Sequence, residues 1–336
     1  MSQEFYDYDP GAELIKLPPL DIEIIYAPHA TSEHMSDISG ADIFIPELAG
    51  WEPGMDTVLA SVARGDVLPH EALPTLSAGA DEDDMHGYKQ ALLHAIAGTN
   101  VAVGFADVPA GHQYDLLYHH LQEEGIVAGA DFDETIQNVY KYIDSWATLI
   151  SGRDKHIATS LNATVKNAIK YRFDLQQKDR LKVVMTLGSL HAGVTERLRS
   201  TDTGGVNTVT THGNTNPETA YDYFGEAVDK QKRGEAVDDQ LAARVLLEHV
   251  IQKNQTGYQI QEAVNDGYLM LLVAKKIASH FNKDEIATLY KQSFGNFALM
   301  DGLLREDMEE NSDNGLLAQK GIVLPHSKDE ATKFIQ

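Results

Sequence analysis

Residues 182–191 read KVVMTLGSLH. Lys182 to Leu187 form a nearly continuous apolar run, rich in β-branched residues and closed by Gly188, which is the pattern of a short strand. A run without polar alternation suits a strand buried on both faces, as in a parallel sheet covered by helices. Gly188-Ser189-Leu190-His191 then sets a histidine just beyond the strand's carboxyl end.

Three other segments, rich in β-branched or aromatic residues and lying near Gly, Pro or Asp, read as strands: Asp21 to Ala27 (DIEIIYA), Asp42 to Pro46 (DIFIP) and Asn100 to Ala106 (NVAVGFA), the last of them also nearly continuous in apolar residues. Helical stretches fall between several of these strands, which points to an α/β layout. Residues 134–172 carry Tyr142, Trp146, Ile150, Ile157, Leu161, Val165 and Ile169 at the spacing of one long amphipathic helix. Met85 to Ala97 reads as a helix whose front, Asp81 to Asp84, complements the helix dipole or, alternatively, binds a cation.

Later in the chain, Asn216-Pro217-Glu218 reads as a helix start, and Asp238 opens a helix to about Lys253. Residues 258–281 are expected as a helix with the apolar centre YLMLLVA, and Asn282 with Glu285 as a capping box opening one more. Residues 200–215 are polar and rich in Gly and Thr, and are expected to be irregular, a candidate lid. The expected architecture is a mostly parallel or mixed central sheet flanked by helices over residues 1–200. An all-helical part over 201–336 is expected to pack against it.

Composition narrows the functional classes. The 336 residues are 43% hydrophobic, enough for a substantial core. A net charge of −24 disfavours nucleic acid and anionic membrane surfaces, which are bound through clustered Lys and Arg. With no cysteine, disulfides, thiolate zinc sites and a Cys nucleophile are excluded, so a metal would sit on His, Asp, Glu or carbonyl oxygens. The first ten residues, MSQEFYDYDP, lack the apolar core of a signal peptide, and the longest apolar stretch, Leu269 to Ala274, is too short to span a bilayer. A cytoplasmic protein is expected.

Ligands of open parallel sheets bind beyond the carboxyl ends of the strands. The residues there are His29 after the first strand, Glu47 after the second, Asp107 after the third and His191 after the fourth. Taken singly, each has a plain alternative as a loop histidine, a helix cap or a surface charge. Together they make a first shell for manganese, iron or zinc, or a general base with an orienting acid. Arg153 lies on the apolar stripe of the long helix, so it must reach solvent or find an acid or an anion. Glu33, His34 and His212 are secondary candidates, with His34 near a helix start that would face the site.

GRDKHIATSL followed by KVVMTLGSLHAGVTERL resembles the closing half of the TraB/PrgY and TIKI-type domain, which is grouped with erythromycin-esterase-like and ChaN-like proteins. That family carries two GxxH motifs after strands, a Glu ending the strand after the first motif, and an Arg on the helix before the second. Gly188 to His191 is a full GxxH. Tyr26-Ala27-Pro28-His29 stands as the first copy, with Tyr26 in place of Gly. Glu47 and Arg153 match the family's Glu and Arg.

The resemblance covers roughly residues 20–200. It implies metal-dependent hydrolysis of a peptide or similar bond in the TIKI branch, ester hydrolysis with a histidine base in the erythromycin-esterase branch, and haem binding in the ChaN branch. Together with the residue reading, the leading expectation is a metal-dependent hydrolase of a peptide, amide or ester bond, with His29, Glu47 and His191 on the metal or, without metal, as base and orienter, and with Arg153, Asp107 and His34 as catalytic candidates. The substrate would be a small molecule or a peptide. Two alternatives use the same pocket: a binding protein for haem or a peptide, with Tyr26 and His29 as iron ligands, and an inactive scaffold whose helical part recruits a partner. Substrate, metal and oligomeric state, a homo-oligomer included, stay open at this level.

Overall fold

The centre of the sheet is β4 (Leu181–Leu187). In a computed structural model describing residues 15–26, 38, 40–77, 86–200, 205–213, 222–264, 266–305 and 316–336, it lies between β1 (Leu20–Tyr26) and β2 (Ile43–Pro46). The edges are β3 (Ala102–Val103) beside β2 and β5 (Val206–Gly213) beside β1, and every pairing is parallel. The register sets Tyr26 opposite Leu187 and Pro46 opposite Thr186, so three strands end at nearly the same level.

The chain divides into two compact units, one of Met1–Leu116 with Ser151–Asn214 and one of Leu117–Ile150 with Thr215–Gln336. The first is an α/β unit. Alternate residues of its strands enter two cores, one on each face of the sheet. On one face Ile22, Ile24, Val183 and Met185 pack with Ile157, Leu161, Val165 and Ile169 of the long helix α5 (Phe132–Ile169). On the other, Ile25, Phe44 and Val184 pack with α1 (Met55–Arg64), α2 (Pro69–Ser77) and α3 (His86–Ile96) through Leu59, Leu76 and Leu92. The α4 helix (Gln113–Glu124) follows β3, and a short α6 (Phe173–Gln176) and α7 (Gly193–Ser200) flank β4.

Two expectations change in this unit. The third strand is short because α5 intercepts its carbonyls: Thr164 Oγ1 donates to Phe105 O (2.8 Å) and Ser160 Oγ to Ala106 O (2.7 Å). Gly104 permits the approach, since a Cβ there would fall 2.7 Å from Thr164 Cγ2. The segment expected to be irregular contains β5. Its Val and Thr residues suit a strand, Val206 and Val209 pack on the core, and its polar remainder is the exposed side of an edge strand. The helical part therefore begins after β5.

The second unit is helical. α9 (Asp239–Lys253) buries Leu241, Val245, Leu246, Leu247, Val250 and Ile251 on several sides, as a central helix does. Around it in sequence lie α8 (Tyr223–Lys232), α10 (Gln255–Val264), α11 (Gly267–Ser279), α12 (Lys283–Gln292), α13 (Phe297–Arg305), α14 (Leu316–Gln319) and α15 (Lys328–Ile335). The single helix expected over 258–281 is two, because the Asp266 side chain accepts from Leu269 N and caps α11. The box of Asn282 and Glu285 is present. The start expected at Asn216 lies outside the described residues, and α8 is capped by Asp222. Among the described residues no helix is long and apolar enough to cross a membrane.

Leu161 is 1% exposed and central to the α5 face of the core. Leu161→Ala should lower the unfolding free energy by about 2–5 kcal/mol, read by urea denaturation, because the sheet beneath cannot collapse into the void.

Candidate functional site

Beyond the ends of β2, β3 and β4 lie five buried ionisable side chains: Glu47, Asp107, Arg153, Asp154 and His191. Glu47 directly follows β2. The parallel register brings it beside the end of β4, where Gly188 N donates to its Oε2. His191 sits on a 3₁₀ turn closed by His191 N donating to Gly188 O (2.9 Å), so the ring folds back over the strand end. Its Nε2 lies 3.0 Å from Glu47 Oε1 and its Nδ1 lies 2.5 Å from Asp154 Oδ1.

Arg153 comes from α5, one turn before Ile157. Its Nη2 donates to Glu47 Oε1 (3.0 Å) and Asp107 Oδ2 (2.5 Å), and its Nε to Asp107 Oδ1 (3.1 Å). The arginine on the apolar stripe has found two acids. Asp107 is also held at its backbone, where Trp51 Nε1 donates to Asp107 O (2.7 Å), and at its side chain, where Val108 N donates to Oδ1 (2.8 Å). Tyr88 Oη donates to Glu47 O (3.0 Å). Gly193 leaves room for Asp154, since a Cβ there would lie 2.5 Å from Oδ2.

Burial is the largest influence on the His191 ring and opposes its charge. The carboxylates of Glu47 and Asp154 overcome both that and the repulsion of Arg153, lifting the pKa from 6.5 to about 9. Burial likewise opposes the Arg153 charge, and Asp107 and Glu47 more than compensate, so it stays a cation. At neutral pH the cluster is an imidazolium and a guanidinium enclosed by three carboxyl groups. An imidazolium is neither a base nor a metal ligand, so either task at His191 first requires loss of its proton.

Of the residues proposed from sequence, Glu47, Asp107, Arg153 and His191 are brought together, while His29 and His34 lie outside the described residues, as does Glu33. His212 is elsewhere: on β5 it pairs with Glu23 Oε1 at 2.9 Å. Tyr26 does not line the cluster as an open ligand. Its buried hydroxyl shares a hydrogen bond with Thr195 Oγ1 (2.6 Å) and lies 3.3 Å from His191 O, and burial raises its pKa to about 12. Asp154 had no role in the sequence reading. The available signal was its place beside Arg153, but adjacency on a helix does not reveal which side chain faces a histidine far along the chain. Among the described residues no group of three or more His, Asp or Glu is arranged to hold a metal ion. No protein family, curated protein or solved structure matches this chain.

Two predictions follow from the charges. Arg153→Met should cost about 3–5 kcal/mol in urea denaturation, because it strands buried Glu47 and Asp107 without their cation. The His191 pKa is higher folded than unfolded, so its contribution is complete below about pH 6.5 and is lost as pH rises through about 9. In chelator-treated protein the unfolding free energy should fall by on the order of 3 kcal/mol across that window, and His191→Gln should flatten the fall.

Proposed function

We propose that this protein is a metal-dependent hydrolase of an ester, amide or peptide bond, working at the carboxyl edge of the sheet. The observation that carries the reading is the pair Glu47 Oε1 and His191 Nε2, 3.0 Å apart, each fixed from behind. Asp154 holds the far nitrogen of the ring, the kind of carboxylate support that orients metal-bound histidines. Arg153 and Gly188 N hold the two oxygens of Glu47. The donor types suit manganese, iron or zinc, with His191 neutral and His29 as the third ligand the resemblance implies. The chemistry a divalent cation supplies in such a place is a water of lowered pKa and a polarised carbonyl.

The protein's own groups have separate tasks in this reading. Asp154 fixes the ring orientation of His191, Arg153 holds Glu47 in position, and Asp107 holds Arg153. The substrate would be a small molecule or a peptide rather than nucleic acid, and the setting cytoplasmic. One observation favours a second reading, the inactive scaffold: the charges of the cluster are already matched by one another. A haem-binding version has less support, since the Tyr26 hydroxyl is engaged with Thr195.

Elemental analysis of protein purified without chelator separates these readings. Near-stoichiometric manganese, iron or zinc is expected, lost in Glu47→Gln and His191→Ala. Hydrolysis of p-nitrophenyl acetate or alanine p-nitroanilide should fall at least 100-fold in the same variants. Protein that takes up none of these ions after soaking, and whose variants change only in stability, would establish the scaffold instead.

A further inference from the structure

Two lysine or arginine side chains are buried among the described residues, Arg153 and Lys89. Arg153 is matched by the carboxylates of Glu47 and Asp107. Lys89 is 6% exposed, and among the described residues no hydrogen bond or ion pair meets its ammonium. The chain has 51 Asp and Glu against 27 Lys and Arg, so acids are plentiful. Lys89 lacks one because of where the fold puts its amine.

That place follows from the helix. Lys89 lies on α3, one turn before Leu92 and Leu93, which are fully buried in the core shared with α1 and α2. Residues three and four apart share a helix face, so the lysine stem runs along an apolar surface. Side chains lean toward the N-terminus of their helix, which carries the amine toward the start of α3. That end of α3 stands at the carboxyl edge of the sheet. The helix leads into β3, which is parallel to β2, and the Tyr88 hydroxyl donates to Glu47 O at 3.0 Å. The stem is covered while Nζ keeps an opening to solvent.

An ammonium so placed gives up much of its hydration without gaining an anion. Burial lowers the Lys89 pKa, and no charge among the described residues opposes the shift. A larger share of this amine is therefore neutral than in an exposed lysine. Desolvation against apolar side chains is one of the ways a lysine becomes a nucleophile toward carbonyl carbon.

We propose that Lys89 is a nucleophilic amine that captures an aldehyde or ketone as an imine at the carboxyl edge of the sheet. The nitrogen lone pair bonds to the carbonyl carbon, the π pair moves to oxygen, and a proton passes from nitrogen to that oxygen through water. The nitrogen then forms the C=N bond as the hydroxyl, protonated, leaves as water. Amine and carbonyl compound are consumed, imine and water are formed, and neither oxidant nor reductant is needed. The inference does not depend on the hydrolase reading, since neither Glu47 nor His191 takes part.

The test uses the full chain at pH 7 with butyraldehyde as the probe, sodium cyanoborohydride to trap the imine, and peptide mass spectrometry to locate it. The butyl adduct should form at Lys89 about tenfold faster or more than at exposed Lys291 and Lys333. Urea should remove that advantage, because the unfolded chain exposes all three amines alike. Lys89→Met keeps an apolar stem and should fold as the native protein does, without the fast adduct. Lys89→Arg keeps a cation and should lose the adduct too. Labelling at Lys89 no faster than at Lys291 and Lys333 overturns the inference. Titration of the lysine ε-carbons by NMR needs no probe: a Lys89 midpoint below those of Lys291 and Lys333 supports the inference. A midpoint at or above theirs, as pairing with Asp81 to Asp84 outside the described residues would give, overturns it. Fast labelling of Lys89 in Glu47→Gln and His191→Ala keeps this outcome separate from that of the hydrolase reading.

Discussion

The guanidinium of Arg153 is the contact on which the rest of the carboxyl edge depends. It is the cation between Glu47, at the end of β2, and Asp107, beyond β3, and it reaches them from a helix on one face of the sheet. Buried carboxylates without a partner either take up protons or unfold their surroundings, so this one side chain ties the loop to the strand end. Through Glu47 the influence extends to Gly188 and His191, and through His191 to Asp154, the next residue along the same helix. The network closes on itself: helix to loop, loop to strand, strand to turn, and turn back to the helix.

Much of the sheet unit could be read from sequence because its signals are local. Nearly continuous apolar runs at Asn100 to Ala106 and Lys182 to Leu187 announce strands covered on both sides, and the stripe from Ile157 to Ile169 announces the helix that covers one face of the sheet. The convergence of Glu47, Asp107 and His191, expected together with His29, followed from assuming parallel neighbours, and the observed strand order satisfies that assumption, while Arg153 was singled out by its place on the apolar stripe of the helix. What escaped was set by tertiary contact. β5 looked irregular because an edge strand keeps one polar side, and β3 is cut short by hydroxyls of Ser160 and Thr164 that arrive from a distant part of the chain. Asp154 and Tyr114 owe their places to Gly193 and Gly152, absences of a side chain that mean nothing until a neighbour is known.

Histidine in this unit shows how far environment governs a residue type. His191, enclosed by carboxylates, holds its proton well above the ordinary value. His156, three residues from the arginine of the same network, is pushed the other way by burial and by its neighbour His112. His212, on an exposed strand edge, meets Glu23 and joins neither group. Sequence spacing ranks these residues by strand ends, whereas their chemistry is decided by what surrounds each ring.

The division of the chain carries a consequence for how the protein is made and cut. The sheet unit is interrupted: Leu117–Ile150 belongs to the helical unit, and the sheet unit resumes at Ser151, inside α5. Arg153, β4 and β5 all come after that excursion. A growing chain therefore cannot finish the sheet, or neutralise Glu47 and Asp107, until the intervening segment has left the ribosome. A terminal truncation that discards the helical unit still leaves part of it in the middle of the fragment. Separating the two units genetically would require excision and rejoining across a single continuous helix.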